Sequence, residues 1–334
     1  MATMIPLIRA ACLIPHIHWL ESRNRPVDAH LAEAGVPGDP VDQPERPIPL
    51  RAAMTFVRDA ADREDIPDLG LRVMTGDSLS NLGAFGRVVM SGATVEAALQ
   101  RAERAMPHFC THERIELRGP PGGRRIVIAF SIGTDPAALH QAQLMSLGHC
   151  LSLLALARHE PSGEDVIQMV PHPRYGFDGL PAELRDRVSP SPDSLLVLGV
   201  DPAALALPLV HLPLLPETAT PAPDWRNLRL QAEFQSCASM LIEGMIEDGN
   251  ISVERLAEAA AVSVRTLQRR LAAEGNTFSS LVDAARRRAA LAAIVREDTA
   301  IADVASAVGY ASPSALTRAV RRWVGHPPRA LRMK

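Results

Sequence analysis

The chain has 334 residues, 47% of them apolar and 22% charged, which suits two ordinary folded domains with cores of their own. Its formal charge of −3 hides an asymmetry: residues 250–334 hold thirteen Arg and one Lys against seven acidic residues, a net +7, which leaves −10 on residues 1–249. A basic tail on an acidic body fits a chain in which one part meets nucleic acid and the other does not, and it excludes a uniformly acidic or uniformly basic surface.

In chain order, the apolar run 10–14 is short and is followed by Pro15, His16 and His18 with no cleavage site, so it does not read as a signal peptide. Helical periodicity is expected over 51–63, over 94–106 (Val95, Ala98, Leu99 and Ala102 on one face) and over 137–158, where Leu139, Leu144, Leu147, Leu151 and Leu154 make a stripe suited to a core or, alternatively, to a dimer helix. Strands are expected at 113–117, 124–132, 165–170 and 194–198, with Pro120-Pro-Gly-Gly123 turning the first two into an antiparallel hairpin. The N-terminal part therefore reads as α+β, with mixed helices and a small, largely antiparallel sheet. Six prolines between Pro202 and Pro223 forbid a continuous helix or central strand there, which places a semi-rigid linker at 211–224 between a domain of residues 1–210 and one of residues 225–334. After it, 228–247 reads as a helix with Phe234, Ala238, Leu241 and Met245 inward and Gly249 as its stop.

The last third holds two helix-turn-helix patterns, so the C-terminal domain reads as all-α. In the first, 251–271, the apolar positions are Leu256, Ala257, Val262, Leu267 and Leu271, and Ser263 caps the second helix. Arg265, Gln268 and Arg269 then share the opposite face, where Arg suits guanine O6 and N7 and Gln suits adenine N6 and N7; Thr266 sits beside them. In the second, 301–323, Ile301, Val304, Ala305 and Val308 form the inward stripe, Gly309 ends the first helix, and Ser312-Pro313 makes a cap with proline at the first helical position. Leu316, Val320 and Trp323 anchor the second helix, Ser314, Thr317 and Arg318 point outward, and Arg321 and Arg322 are available to phosphates. Between the motifs, Phe278, Leu281, Ala285, Ala289, Ala292 and Val295 keep helical spacing over 279–296, and Arg286, Arg287 and Arg288 lie within that rod. Two motifs on one rod suit successive major-groove segments of one duplex.

The four cysteines, Cys12, Cys110, Cys150 and Cys237, stand at no paired spacing, which argues against a disulfide framework or zinc ribbon and fits a reducing cytoplasm. No apolar run approaches the ~20 residues of a membrane span. Gly76, Gly83, Gly86 and Gly92 form no phosphate loop, and no nucleophile elbow is present, so neither a catalytic role nor a cofactor is expected. His108, Cys110 and His112 have spacing that suits a metal if the segment bends, without a second ligand cluster to close the site. They keep open an alternative, a metal- or redox-responsive regulator; an enzyme-like N-terminal domain fused to a DNA-binding module is another.

Residues 230–332 resemble the AraC/XylS family of bacterial transcriptional regulators, through Leu256-Ala257, Ser263-Val-Arg-Thr-Leu-Gln-Arg269, the central helix, Val304-Ala305, Gly309-Tyr310, Leu316-Thr-Arg-Ala-Val-Arg-Arg-Trp323 and Gly325-His-Pro-Pro-Arg-Ala-Leu-Arg332. Leu271, Leu316 and Val320 stand where the family usually has Phe, an apolar exchange. Pro313 and Ser314 replace residues often longer and polar, which assigns sequence reading mainly to the first motif and phosphate contact to the second. Leu69-Gly-Leu-Arg72, Asn81-Leu-Gly-Ala-Phe-Gly86, the run 91–99 and Pro208-Leu209 also look like the ligand-binding or dimerisation domain of one subgroup. The resemblance implies a DNA-binding regulator, an activator by preference, with operator DNA, RNA polymerase, a small-molecule effector and a second copy of the chain as partners.

Overall fold

The computed structural model describes residues 4–75, 78–120, 123–133, 135–158, 166–209, 228, 233–295 and 299–332. The chain divides into two units, one formed by Pro6–Leu230 and the other by Met1–Ile5 together with Gln231–Lys334. The expected linker at 211–224 lies outside the described residues. The division falls at 230/231, and residues 1–5 join the C-terminal unit, where Ile5 is buried and a backbone hydrogen bond ties it to Cys237.

The larger unit runs through β1 (Leu7–Arg9), α1 (Ile14–Glu21), α2 (Val27–Glu33), β2 (Pro47–Pro49), α3 (Leu50–Glu64), α4 (Leu69–Arg72), α5 (Gly83–Met90) and α6 (Val95–Phe109). It continues with β3 (Glu113–Arg118), β4 (Arg125–Phe130), α7 (Pro136–Leu156), β5 (Ile167–Met169), α8 (Ala182–Arg185), β6 (Val188–Pro190), β7 (Leu196–Gly199) and α9 (Pro202–Leu205). The α+β reading holds. Among the described residues a five-stranded sheet has the order β3-β4-β7-β5-β6, antiparallel except where β5 meets β6, and β1 pairs with β2 in a separate ribbon. The hairpin forms in the expected place, with Ile115 opposite Ile128 and both turned into the core. Pro190 sits on β6, at the sheet edge, where its missing N–H costs no ladder bond.

The spine of this unit is α7, which is buried on nearly all sides. Asp135 caps it by accepting from the Ala138 amide, with Pro136 at the first position. Its Leu144, Leu147 and Leu154 are core, and Leu139 and Leu151 pack half-buried against it, so the leucine stripe serves packing. A helix this deeply buried must satisfy its polar side chains internally, and it does so by bonding loop backbone. Gln141 donates to Pro67 O at 2.7 Å and accepts from the Gly70 amide at 2.9 Å; Gln143 donates to Ser194 O at 2.9 Å and accepts from the Val170 amide at 2.8 Å. The approach of α5 to the preceding turn requires glycine: a Cβ on Gly86 would sit 1.8 Å from the Leu79 carbonyl oxygen.

The smaller unit is helical: α10 (Phe234–Glu247), α11 (Val253–Ala259), α12 (Val264–Ala273), α13 (Phe278–Val295), α14 (Ile301–Ala307), α15 (Pro313–Val324) and α16 (Pro328–Leu331). Phe234, Ala238, Leu241 and Met245 of α10 are buried as expected, but Leu228 lies in a turn and the helix is described only from Phe234. Gly249, at φ +68°, follows the end of α10, and Gly309, at φ +73°, follows α14, both in the left-handed region that glycine adopts without strain. The rod α13 corrects one expectation. Its buried residues are Leu281, Val282, Ala285, Ala290 and Ile294, whereas Ala289, Ala292 and Val295 are exposed, Val295 by 65%. At 100° per residue the buried face swings by about half a turn from Leu281 to Ala290 and Ile294. The reason is that α13 packs against α10 and also against α14, α15 and α16. A rod with two different neighbours buries two faces, and a single stripe does not describe it.

Candidate nucleic-acid interface

The first motif places its second helix, α12, by a cap and two leucines. Ser263 Oγ accepts from the Thr266 amide at 3.2 Å and donates to Thr266 Oγ1 at 3.0 Å, and Leu267 and Leu271 are fully buried beside Leu256 and Ala257. Arg265, Gln268 and Arg269 are exposed on the opposite face and make no ion pair or hydrogen bond among the described residues. Thr266 is half-buried and engaged with the cap. Arg270, one residue further round, lies over the Phe234 ring at 5.3 Å and belongs to the packing.

The second motif repeats the device. Ser312 Oγ accepts from the Ala315 amide at 3.2 Å, Pro313 follows at the first helical position, and Leu316, Ala319 and Val320 are buried. Ser314, Arg318 and Arg321 are exposed, and neither arginine has an ion-pair partner among the described residues. Thr317 is turned back on its own helix, its Oγ1 donating to Pro313 O at 2.9 Å. Arg322 is held by Asp283 of α13 at 2.6 Å, while the other oxygen of Asp283 accepts from Trp323 Nε1 at 3.0 Å. One carboxylate thus clamps α15 to the rod, and Arg322 is not a free phosphate ligand in this structure. The rod uses its own arginines similarly: Arg286 donates to Gly309 O at 3.1 Å and covers Tyr310, and Arg288 pairs with Glu243 at 2.6 Å. Arg287 is exposed. The sequence gives no sign of the Asp283 clamp, because an acidic residue in mid-helix usually means a solvated face.

Both halves of the Arg322–Asp283 pair are substantially exposed, so Asp283→Asn is expected to cost no more than about 1 kcal/mol of stability. It frees a guanidinium beside the second recognition helix. The expected result is tighter DNA binding with a salt slope steeper by about one unit of log K per log salt; an unchanged slope across a salt titration would show that Arg322 does not reach the duplex.

His108, Cys110 and His112 do not converge. Cys110 is buried at a bridge to Ile8, His108 lies near the end of α6, and His112 Nδ1 bonds Thr111 Oγ1 at 2.6 Å. No group of three metal-ligating side chains is gathered among the described residues, nor is any of their helices long and apolar enough to cross a membrane. The buried thiols are core residues: burial pushes Cys150 up to about 12 and Cys237 up to about 11, far from thiolate chemistry.

Residues 256–334 match a helix-turn-helix domain model, and residues 25–173 match the model described as the arabinose-binding N-terminal domain of the AraC transcription regulator. Two capped helices with unpaired arginines coincide with the first match, and the α+β unit holds the second. The chain belongs to the AraC/XylS family of transcriptional regulators. Its relatives include the HTH-type transcriptional regulator VirS of Mycobacterium tuberculosis, 24% identical over 98% of this chain and 96% of that protein. RipA of Corynebacterium glutamicum, also an HTH-type transcriptional regulator, is 45% identical over 23% of each chain. Among solved structures, the transcriptional regulator CdpR of Pseudomonas aeruginosa aligns over 83% of this chain and 91% of its own at 19% identity, with a TM-score of 0.32 that is too low to bear on function.

Proposed function

We propose that this chain is a sequence-specific regulator that binds double-stranded operator DNA through residues 231–334, under the control of a small-molecule effector held by residues 6–230. By family resemblance it is an activator that acts in the cytoplasm as a homodimer, with RNA polymerase as its partner at the promoter, and it performs no catalysis. The supporting observation is the contrast among its arginines. Among the described residues Arg265, Arg269, Arg318 and Arg321 stay exposed and unpaired on the two capped helices, while Arg270, Arg286, Arg288 and Arg322 are committed to the protein's own packing or ion pairs.

In this reading α12 enters a major groove with Arg265, Gln268 and Arg269 toward base edges, and α15 follows with Ser314, Arg318 and Arg321. The 18 residues of α13 span ~27 Å at ~1.5 Å per residue, comparable with the ~34 Å between successive major-groove faces. A single chain then reads two turns of duplex, and a dimer reads paired half-sites. Selection from a random DNA library tests this. The wild type is expected to yield a defined logo, and Gln268→Ala is expected to lose preference at one position, a discrimination of about 1–3 kcal/mol. A flat wild-type logo would mean non-specific binding, and an unaltered logo for the variant would remove Gln268 from the base contacts.

A further inference from the structure

The Pro6–Leu230 unit contains a cavity of about 100 Å³ between β3, β4, α3, α5, α6 and α7. Hydrocarbon lines nearly all of it, with Phe85 and Phe109 stacked at 4.6 Å on one side and Met54, Met106 and Met145 around it. The polar side chains on its wall are Glu113, Ser146 and His149, which come together from β3 and α7. Ser146 Oγ donates to Glu113 Oε1 at 3.1 Å, and His149 Nε2, itself buried, has no hydrogen-bond partner among the described residues. His149 is enclosed by protein yet keeps accessible surface, and it borders the cavity. No arginine or lysine lines the wall.

We propose that this cavity is the effector site and that it takes a compact, neutral, mostly hydrocarbon molecule with a single hydroxyl or amide head directed at Glu113, Ser146 and His149. This deepens the reading of the unit as effector-binding and rests on it. Three features decide the ligand class. Size comes first: a cavity of ~150 Å³ lined by aliphatic and aromatic side chains admits benzene, so this one, about a third smaller, takes a single six-membered ring when its three flexible methionines yield. Charge comes second. Burial drives His149 down to about 4, so it is neutral at physiological pH, and the wall has no cation to set against a carboxylate or phosphate. Third is hydrogen bonding. A pentose brings a hydroxyl on nearly every carbon, this wall offers one polar corner, and each hydroxyl left unpaired loses its hydration without return. The site is therefore not a sugar site, despite the description attached to the matching domain model.

The test uses the full chain with phenol, cyclohexanol, cyclohexanecarboxylate and L-arabinose, read by thermal unfolding and calorimetry. Phenol or cyclohexanol is expected to raise the Tm and bind at least tenfold more tightly than the carboxylate, with no binding of arabinose. Ala142→Leu, which fills the cavity from α7, is expected to abolish the shift while the unliganded Tm stays within a few degrees. Should that variant not fold, Ser146→Ala is expected to weaken the alcohols several-fold. Binding of the carboxylate as tight as that of the alcohols, alcohol binding that persists in both variants, or no binding of either alcohol would overturn the assignment. A parallel gel shift on the selected operator keeps the two readings apart. If arabinose changes operator affinity and the alcohols do not, effector control stands and this cavity assignment falls; if the alcohols bind in the cavity without changing operator affinity, the ligand class stands and the cavity's role in control falls.

Discussion

Arg269→Ala is expected to weaken binding to the selected operator by about 1–3 kcal/mol, roughly five- to 150-fold, with a smaller loss on random duplex. Its side chain is exposed on the face of α12 opposite Leu267 and Leu271, and no neighbour among the described residues competes for it. Arg318→Ala should behave differently. Located on α15 behind the Ser312 cap, Arg318 is assigned to phosphate, so its loss should lower affinity for all sequences alike and reduce the salt slope by about one. Arg270→Ala is the control, because that side chain covers Phe234 and its removal should lower stability more than DNA affinity. Salt-controlled gel shifts on operator and random duplex separate the three. Unchanged affinity for both Arg269→Ala and Arg318→Ala would place the recognition surface elsewhere on the chain.

The two capped helices were legible in the sequence because helix caps and apolar spacing are local signals. Ser263 and Ser312 cap where their position before each apolar stripe puts them, and Gly249 and Gly309 follow the helices they were expected to stop. What is paired across the fold was not legible. Arg322 looks identical to Arg321 until Asp283 is brought to it from α13, and the three arginines of the rod look alike until Glu243 and Gly309 select two of them. In the larger unit the long helices α3, α6 and α7 and the β3–β4 hairpin carry periodicity, whereas α1, α5, β1, β2 and β6 do not announce themselves. The strands among these have three residues each, and the helices have eight. Two glycines interrupt α5, and α1 is too widely buried to show alternation between faces. The cavity is invisible for the same reason: its wall gathers short pieces of many elements, and the only chemical hint, Glu113 on a strand, reads as an ordinary surface carboxylate.

Stability of the larger unit is expected to fall in acid through histidines that the fold keeps neutral, His16, His140 and His149. His16 of α1 is fully buried with neither ring nitrogen bonded among the described residues, and burial, helped by nearby His149 of α7, drives it to about 3. Burial alone drives His149 to about 4. Because the folded-state values lie below the unfolded value near 6.5, the unfolded chain binds more protons in between. The stabilising effect of the neutral fold is complete above about pH 6.5 and is lost as the pH falls from there toward 4, at about 1.4 kcal/mol per pH unit for each histidine. His16 alone then removes on the order of 3 kcal/mol by pH 4. Carboxylates titrate at the lower end of the same range, so the informative quantity is the difference between wild type and His16→Phe. The substitution exchanges an unsatisfied buried ring for an apolar one, and near pH 7 it should be neutral or stabilising. Urea midpoints followed by circular dichroism between pH 7 and pH 4 should diverge as the pH falls, with a shallower slope in the variant. Parallel slopes for the two proteins would mean that His16 is protonated within the fold, and a water or an acceptor would then have to be found for it beside α7.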